Sequence, residues 1–144
     1  MKKVIMAMLL LSALPGLSRA QQADAVVGTW LNEEKDAKVQ IYRSGNEYAG
    51  KLVWIARQFE DDGKTPRKDS KNADPKLRNR GLMGLVILTG FKYDDGEWTG
   101  GKIYDPKSGK TYSSKMKLDG RQLNIRGYVG VSVFGRTTVW TRAE

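Results

Sequence analysis

Beyond an apolar N-terminal run, the chain reads as short stretches in which apolar and polar positions alternate. Each is six to ten residues long, rich in branched and aromatic side chains, and bounded by Gly, Asp, Asn or Pro. This pattern predicts eight strands. They run over Val26–Leu31, Lys38–Arg43, Glu47–Ile55, Leu82–Phe91, Glu97–Tyr104, Lys110–Leu118, Arg121–Tyr128 and Arg136–Arg142. Helical spacing of apolar positions is absent beyond the N-terminal run, and the frequency of glycine does not suit long helices. Asp119-Gly120 has the chemistry of a two-residue hairpin, and Ser44-Gly45-Asn46, Asp94-Asp95-Gly96 and Asp105–Gly109 read as further hairpin connections. Neighbouring strands therefore pair in sequence order.

Three strands show one wet face. Val39 and Ile41 oppose Lys38 and Gln40; Tyr112, Ser114, Met116 and Leu118 oppose Thr111, Ser113, Lys115 and Lys117; Leu123, Ile125 and Gly127 oppose Gln122, Asn124 and Arg126. No face can be assigned over Leu82–Phe91, apolar on both sides, or over Glu97–Tyr104, where Lys102 shares a side with Trp98 and Tyr104. A meander of this kind with no covering helix hides its edges by closing on itself, so the expected fold is all-β, an eight-stranded up-and-down antiparallel barrel. Parity then gathers Asn32–Ala37, Ala56–Gly81, Asp105–Gly109 and Val129–Gly135 at one end and the tight hairpins at the other. The connection Ala56–Gly81 is far longer than turn chemistry needs, which marks a binding loop or lid over the open end.

The first residues change the picture of the compartment. Lys2 and Lys3 precede an apolar run from Val4 to Leu14, then Pro15-Gly16 and Ser18-Arg19-Ala20, the layout of a secretory signal peptide. The run is too short to span a bilayer. Residues 1–20 are read as the leader, with Ala23-Asp24-Ala25 a second small-x-small site, and 21–144 as one barrel domain; the expected location is the periplasm or the medium. The formal charge of +9 falls to +6 when Lys2, Lys3 and Arg19 leave with the leader, a balance that favours anionic partners or simply solubility. Export and the lack of a basic-aromatic motif argue against nucleic acid.

With neither histidine nor cysteine, the chain lacks Ser-His catalysis, thiol nucleophiles and the usual zinc ligands. Asp61-Asp62, Asp94-Asp95 and Asp105 sit where aspartate builds turns, and Asp69, Asn72 and Asp74 lack the spacing of a calcium loop. No catalytic residue, metal or cofactor is expected. In Asp74-Pro75-Lys76-Leu77-Arg78-Asn79-Arg80 two readings stand: Arg78 and Arg80 grip a carboxylate or phosphate at the mouth, or they bond loop carbonyls.

Gly28-Thr29-Trp30 resembles the Gly-x-Trp signature that opens the first strand of lipocalins and other calycins, and also of avidin-like barrels. The resemblance implies that Gly28 and Trp30 close the base, with Arg142, or less naturally Arg136, against the Trp ring. A second resemblance spans nearly the whole mature chain. Gly28-Thr29-Trp30, Gly50–Trp54, Lys71–Arg80, Gly84-Leu85, Trp98–Pro106, Gly109–Tyr112, Arg126-Gly127-Tyr128 and Trp140-Thr141-Arg142 look like the bacterial family of unknown function numbered twenty-one forty-seven. That likeness implies an exported protein with a lipocalin-like barrel, although Gly81 stands where the family typically has proline. A small-molecule binder for an amphipathic, lipid-like anion follows, monomeric or weakly dimeric. Its expected site is Trp54, Met83, Tyr104 and Tyr112 at the mouth, Leu52 and Met116 deeper in, and Arg78 and Arg80 at the rim. Two alternatives stand beside it: the same aromatics fill a solid core, or the loop end serves as a protein-binding or inhibitor module of the envelope.

Overall fold

The computed structural model describes residues 14–143; the apolar run of the segment read as a leader, apart from Leu14, lies outside them. Eight strands follow one another as β1 Gly28–Leu31, β2 Ala37–Ser44, β3 Glu47–Ile55, β4 Val86–Asp94, β5 Glu97–Asp105, β6 Lys110–Asp119, β7 Gln122–Tyr128 and β8 Arg136–Ala143. Each pairs antiparallel with its neighbours, and β8 returns to β1 through Trp30 opposite Arg142, closing the barrel. No helix among the described residues is long and apolar enough to cross a membrane.

The differences from the pattern lie at the N-terminus and around the long connection. In the uncut chain a short helix, α1 Arg19–Ala23, is started by a capping box in which the Ser18 hydroxyl and the Gln21 side chain each bond the other's backbone N–H, and the cleavage expected after Ala20 falls inside it. A 3-10 turn over Asp24–Val26 follows, so β1 begins at Gly28 instead of Val26. One helical turn is too short to show a period in the sequence. Leu82–Leu85 is likewise a turn, with Gly84 at φ +80°, and β4 starts only at Val86.

The turn before β1 seals the closed end. Trp30 donates its indole N–H to the Val26 carbonyl at 2.9 Å, and Trp98 donates to that of Ala23 at 3.0 Å. Tyr48 donates to the Asp24 carboxylate at 2.5 Å. The Arg142 guanidinium lies 4.0 Å from the centre of the Trp30 ring and donates to the carbonyls of Val27 and Ala25. Polar groups at the base are thereby matched without water while the rings stay buried. Behind this plug pack Ile41, Leu88, Phe91, Met116, Leu123 and Ile125, all essentially inaccessible. Gly101 is glycine because Phe91 lies on it: a Cβ there would come within 2.5 Å of the ring.

Candidate functional site: the mouth cavity

The packed core fills only the half of the barrel next to the plug. The other half holds a cavity of about 450 Å3 that opens at the end where β1–β2, β3–β4, β5–β6 and β7–β8 connect. Its wall is mostly apolar: Val39, Leu52, Ile55, Ile87, Ile103 and Trp140, with Tyr104, Tyr112 and Leu82 nearer the opening. Gly127 leaves a recess in this wall, since a Cβ there would stand 3.6 Å from Ile103 and Tyr112. The volume falls in the range of small-ligand sites, and the lining has their usual composition. The interior is thus filled at its base and open at its mouth.

Rim charge comes from the short connections. Asn32 to Asp36 on one side and Asp105 to Lys107 on the other bound the opening, together with Arg136 at the start of β8. In the closed strand order the β1–β2 and β5–β6 connections face each other across the ring. Lys107 bridges them, pairing with Glu34 and, at 2.6 Å, with Asp36. Partial burial pushes the Asp36 carboxyl up, but hydrogen bonds from Lys107 and Asn32 outweigh it and the group ends below the usual carboxylate range. Lys107 behaves reciprocally: desolvation lowers it, and its two carboxylate partners raise it above the ordinary lysine value. The remaining rim acids are occupied structurally, Glu33 accepting from the Val139 N–H and Asp105 from the Lys107 N–H and the Ser108 hydroxyl. Arg136 has no ion-pair partner among the described residues.

Of the eight predicted ligand contacts, Leu52, Tyr104 and Tyr112 line the cavity and five lie outside it. Trp54 turns outward, 40% exposed, beneath the Lys38 ammonium. The cause is a bulge at Val53: Val39 pairs with Leu52 but Lys38 with Trp54, so the alternation slips and Ile55 takes the inward place. The turn at Leu82–Leu85 does the same to Met83, which is 40% exposed while Leu82 reaches the cavity. Met116 belongs to the packed base, on the rung Trp98–Met116–Ile125.

Arg78 and Arg80 serve the long loop. Arg78 donates to the Asn72 carbonyl at 2.7 Å, and Arg80 pairs with Asp69 at 2.9 Å. Asp69, fully buried, also accepts from Tyr104 and Asn72. Burial and then the Asp69 carboxylate hold the Tyr104 phenol up at about 12. This cluster draws the loop against the flank of β5, and no residue from Ala56 to Gly81 lines the cavity. The long connection is a bolted flap beside the mouth instead of a lid across it. Among the described residues no group of three or more His, Cys, Asp or Glu side chains is placed to hold a metal ion.

The sequence reading missed Thr138 and Trp140 and offered Arg136 only as a less natural partner for the Trp30 ring, although the three alternate on one face of the last strand and Arg142 continues the series down to Trp30. It also missed Ile103. A register shift at Thr99-Gly100 places Gly101 and Ile103 inward and leaves Lys102 in solvent, which resolves the conflict on that strand.

The family model described as an uncharacterized protein conserved in bacteria (DUF2147) matches residues 28–142, from the glycine that opens β1 to the arginine over Trp30. The chain belongs to this family. Among solved structures, this DUF2147 chain is similar to HP1028 from Helicobacter pylori, described as belonging to the lipocalin family, with a TM-score of 0.71 and 26% identity over 82% of each chain. No curated protein matches it. A lipocalin-like barrel in a DUF2147 chain points to small-molecule binding in general, and to binding ahead of catalysis.

Proposed function

We propose that the protein is an exported, non-enzymatic carrier that takes one apolar or amphipathic anion, of the fatty-acid type, tail first into the mouth half of the barrel. The observation that carries this reading is the cavity itself: about 450 Å3, apolar in its depth, sealed by the Trp30 plug and open at the opposite end. Arg136 supplies the cation for the head group, the role first expected of Arg78 and Arg80, because it stands at the rim with its charge uncommitted. Its forked guanidinium suits a carboxylate.

Titration of the protein with a long-chain fatty acid, followed through the fluorescence of Trp140 in the cavity wall, tests the reading. Saturable binding is expected, lost in Gly127→Val, whose side chain occupies the recess. In Arg136→Ala binding of the acid weakens about tenfold while that of the matching alcohol does not, the worth of one charge-assisted hydrogen bond. Binding that ignores Gly127→Val, or no saturable binding by any amphiphile, would sink it. Mass analysis of the exported form, expected to begin at Gln21, tests the compartment.

A further inference from the structure

The connection between β7 and β8 is the least expected surface on the molecule. Val129, Val131, Val133 and Phe134 are 75%, 57%, 73% and 82% exposed, in a segment without a single charged residue. Soluble surfaces seldom gather so much apolar area at one tip unless it meets a partner. From this tip we propose that the mouth end docks on an anionic lipid bilayer, with Val131, Val133 and Phe134 entering the interfacial layer.

Two observations select a bilayer. First, part of the tip's backbone is bonded from within. Arg126 reaches up from β7 and donates to the carbonyls of Ser132 at 2.5 Å and Val133 at 3.2 Å, while its third nitrogen bonds the Thr137 hydroxyl. The Phe134 N–H bonds the Val131 carbonyl and the Gly135 N–H that of Ser132, closing a 3-10 turn. An unsatisfied peptide group is costly in an apolar layer, so each group bonded internally lowers the cost of bringing the turn's outward apolar side chains to a lipid interface. Gly135 permits this closeness, since a Cβ there would stand 2.6 Å from the Gly127 carbonyl.

Second, the wall beneath the tip is basic. The cross-strand rows Lys102–Ser113–Tyr128 and Lys115–Arg126–Thr137 place Lys102, Lys115 and Arg126 on the outer face of β5 to β7 near the mouth, and neither row contains a carboxylate. Apolar side chains at the front with cations behind them is the arrangement that binds anionic interfaces, where burial and surface charge act together. Arg136, at the foot of the same connection, also lines the cavity, so docking would bring its side of the rim to the lipid surface, while the acids Glu33, Glu34, Asp36 and Asp105 stand at the β1–β2 and β5–β6 connections. Docking of the tip is independent of what the cavity holds.

The test measures partition of the protein onto vesicles of phosphatidylcholine with and without phosphatidylglycerol. Phe134→Trp serves as a local reporter, and the double variant Val131→Asp, Phe134→Asp removes the apolar tip; all share one N-terminus, so differences belong to the loop. Expected are binding to the phosphatidylglycerol vesicles that weakens with salt, a blue shift and bromolipid quenching of the new tryptophan, and a partition coefficient at least about tenfold lower in the aspartate variant. The exposed aspartates leave the fold intact, which an unchanged melting curve and circular dichroism spectrum verify. A reporter that neither shifts nor is quenched, with equal partition of parent and aspartate variant, overturns the proposal. So does a dimer or a protein complex that the aspartates abolish while vesicles leave the reporter unchanged.

Discussion

At the scale of single residues, Asp69 shows which of the two readings of Arg78 and Arg80 the structure favours. Arg78 and Arg80 stand in a basic stretch that looks made for an anionic ligand, yet the anion they serve is internal. Burial alone would raise the Asp69 carboxyl, but hydrogen bonds from Tyr104, Asn72 and Arg80, with the Arg80 charge, leave it below the usual range. A carboxyl depressed by folding adds stability above its unfolded value, near pH 4, and that contribution disappears as pH falls through the lower folded value. The long loop is therefore expected to loosen under acid before the barrel does. Hydrogen exchange of Lys68 to Arg80 between about pH 4 and pH 2 should rise in the parent, whereas Asp69→Asn should exchange fast already at neutral pH and change little on acidification. No sequence pattern separates an arginine held by a buried aspartate eleven residues away from one that awaits a ligand.

At the scale of elements, the strands were legible and their irregularities were not. Period-two alternation placed β3 at Glu47–Ile55 and gave the inward faces of β2, β6 and β7 as they stand. It failed wherever one residue is inserted. The bulge at Val53 costs the alternation one step and turns Trp54 out; the turn at Leu82–Leu85 turns Met83 out; the shift at Thr99-Gly100 hides Ile103. Bulges depend on how two strands meet, which a single strand's pattern does not record. The length of the β3–β4 connection suggested a lid, but what spans the opening is the Lys107 bridge from the β5–β6 turn to Glu34 and Asp36. Exposed ion pairs of this kind contribute about 0–1 kcal/mol, so Lys107→Ala should leave the unfolding midpoint nearly unchanged. Ligand should nonetheless associate and dissociate faster in stopped-flow measurements, and the parent should approach the variant as salt is raised. Equal rates in both would mean that the bridge lies beside the ligand's path.

At the scale of the whole molecule, the plug carries the stability and the mouth carries the opening. Trp30 ties the first strand to the last, through Val26 before it and Arg142 over its ring. Truncation to Ala should cost about 3–5 kcal/mol in denaturant unfolding, as for other fully buried tryptophans; loss of less than about 1 kcal/mol would remove the plug from the account of the fold. Gly28-Thr29-Trp30 signalled this plug from the sequence, because a resemblance to known barrels supplied the partner that periodicity does not. The plug also fixes when the molecule becomes a molecule. Arg142 meets Val27 across 115 positions of chain, and β1 has no second neighbour until β8 arrives. A growing polypeptide therefore keeps an open sheet edge and an unsealed base until β8 has been made, and contacts of such separation form late. The same delay leaves the chain threadable until the eighth strand is present, which would suit passage through a narrow pore if the proposed export holds.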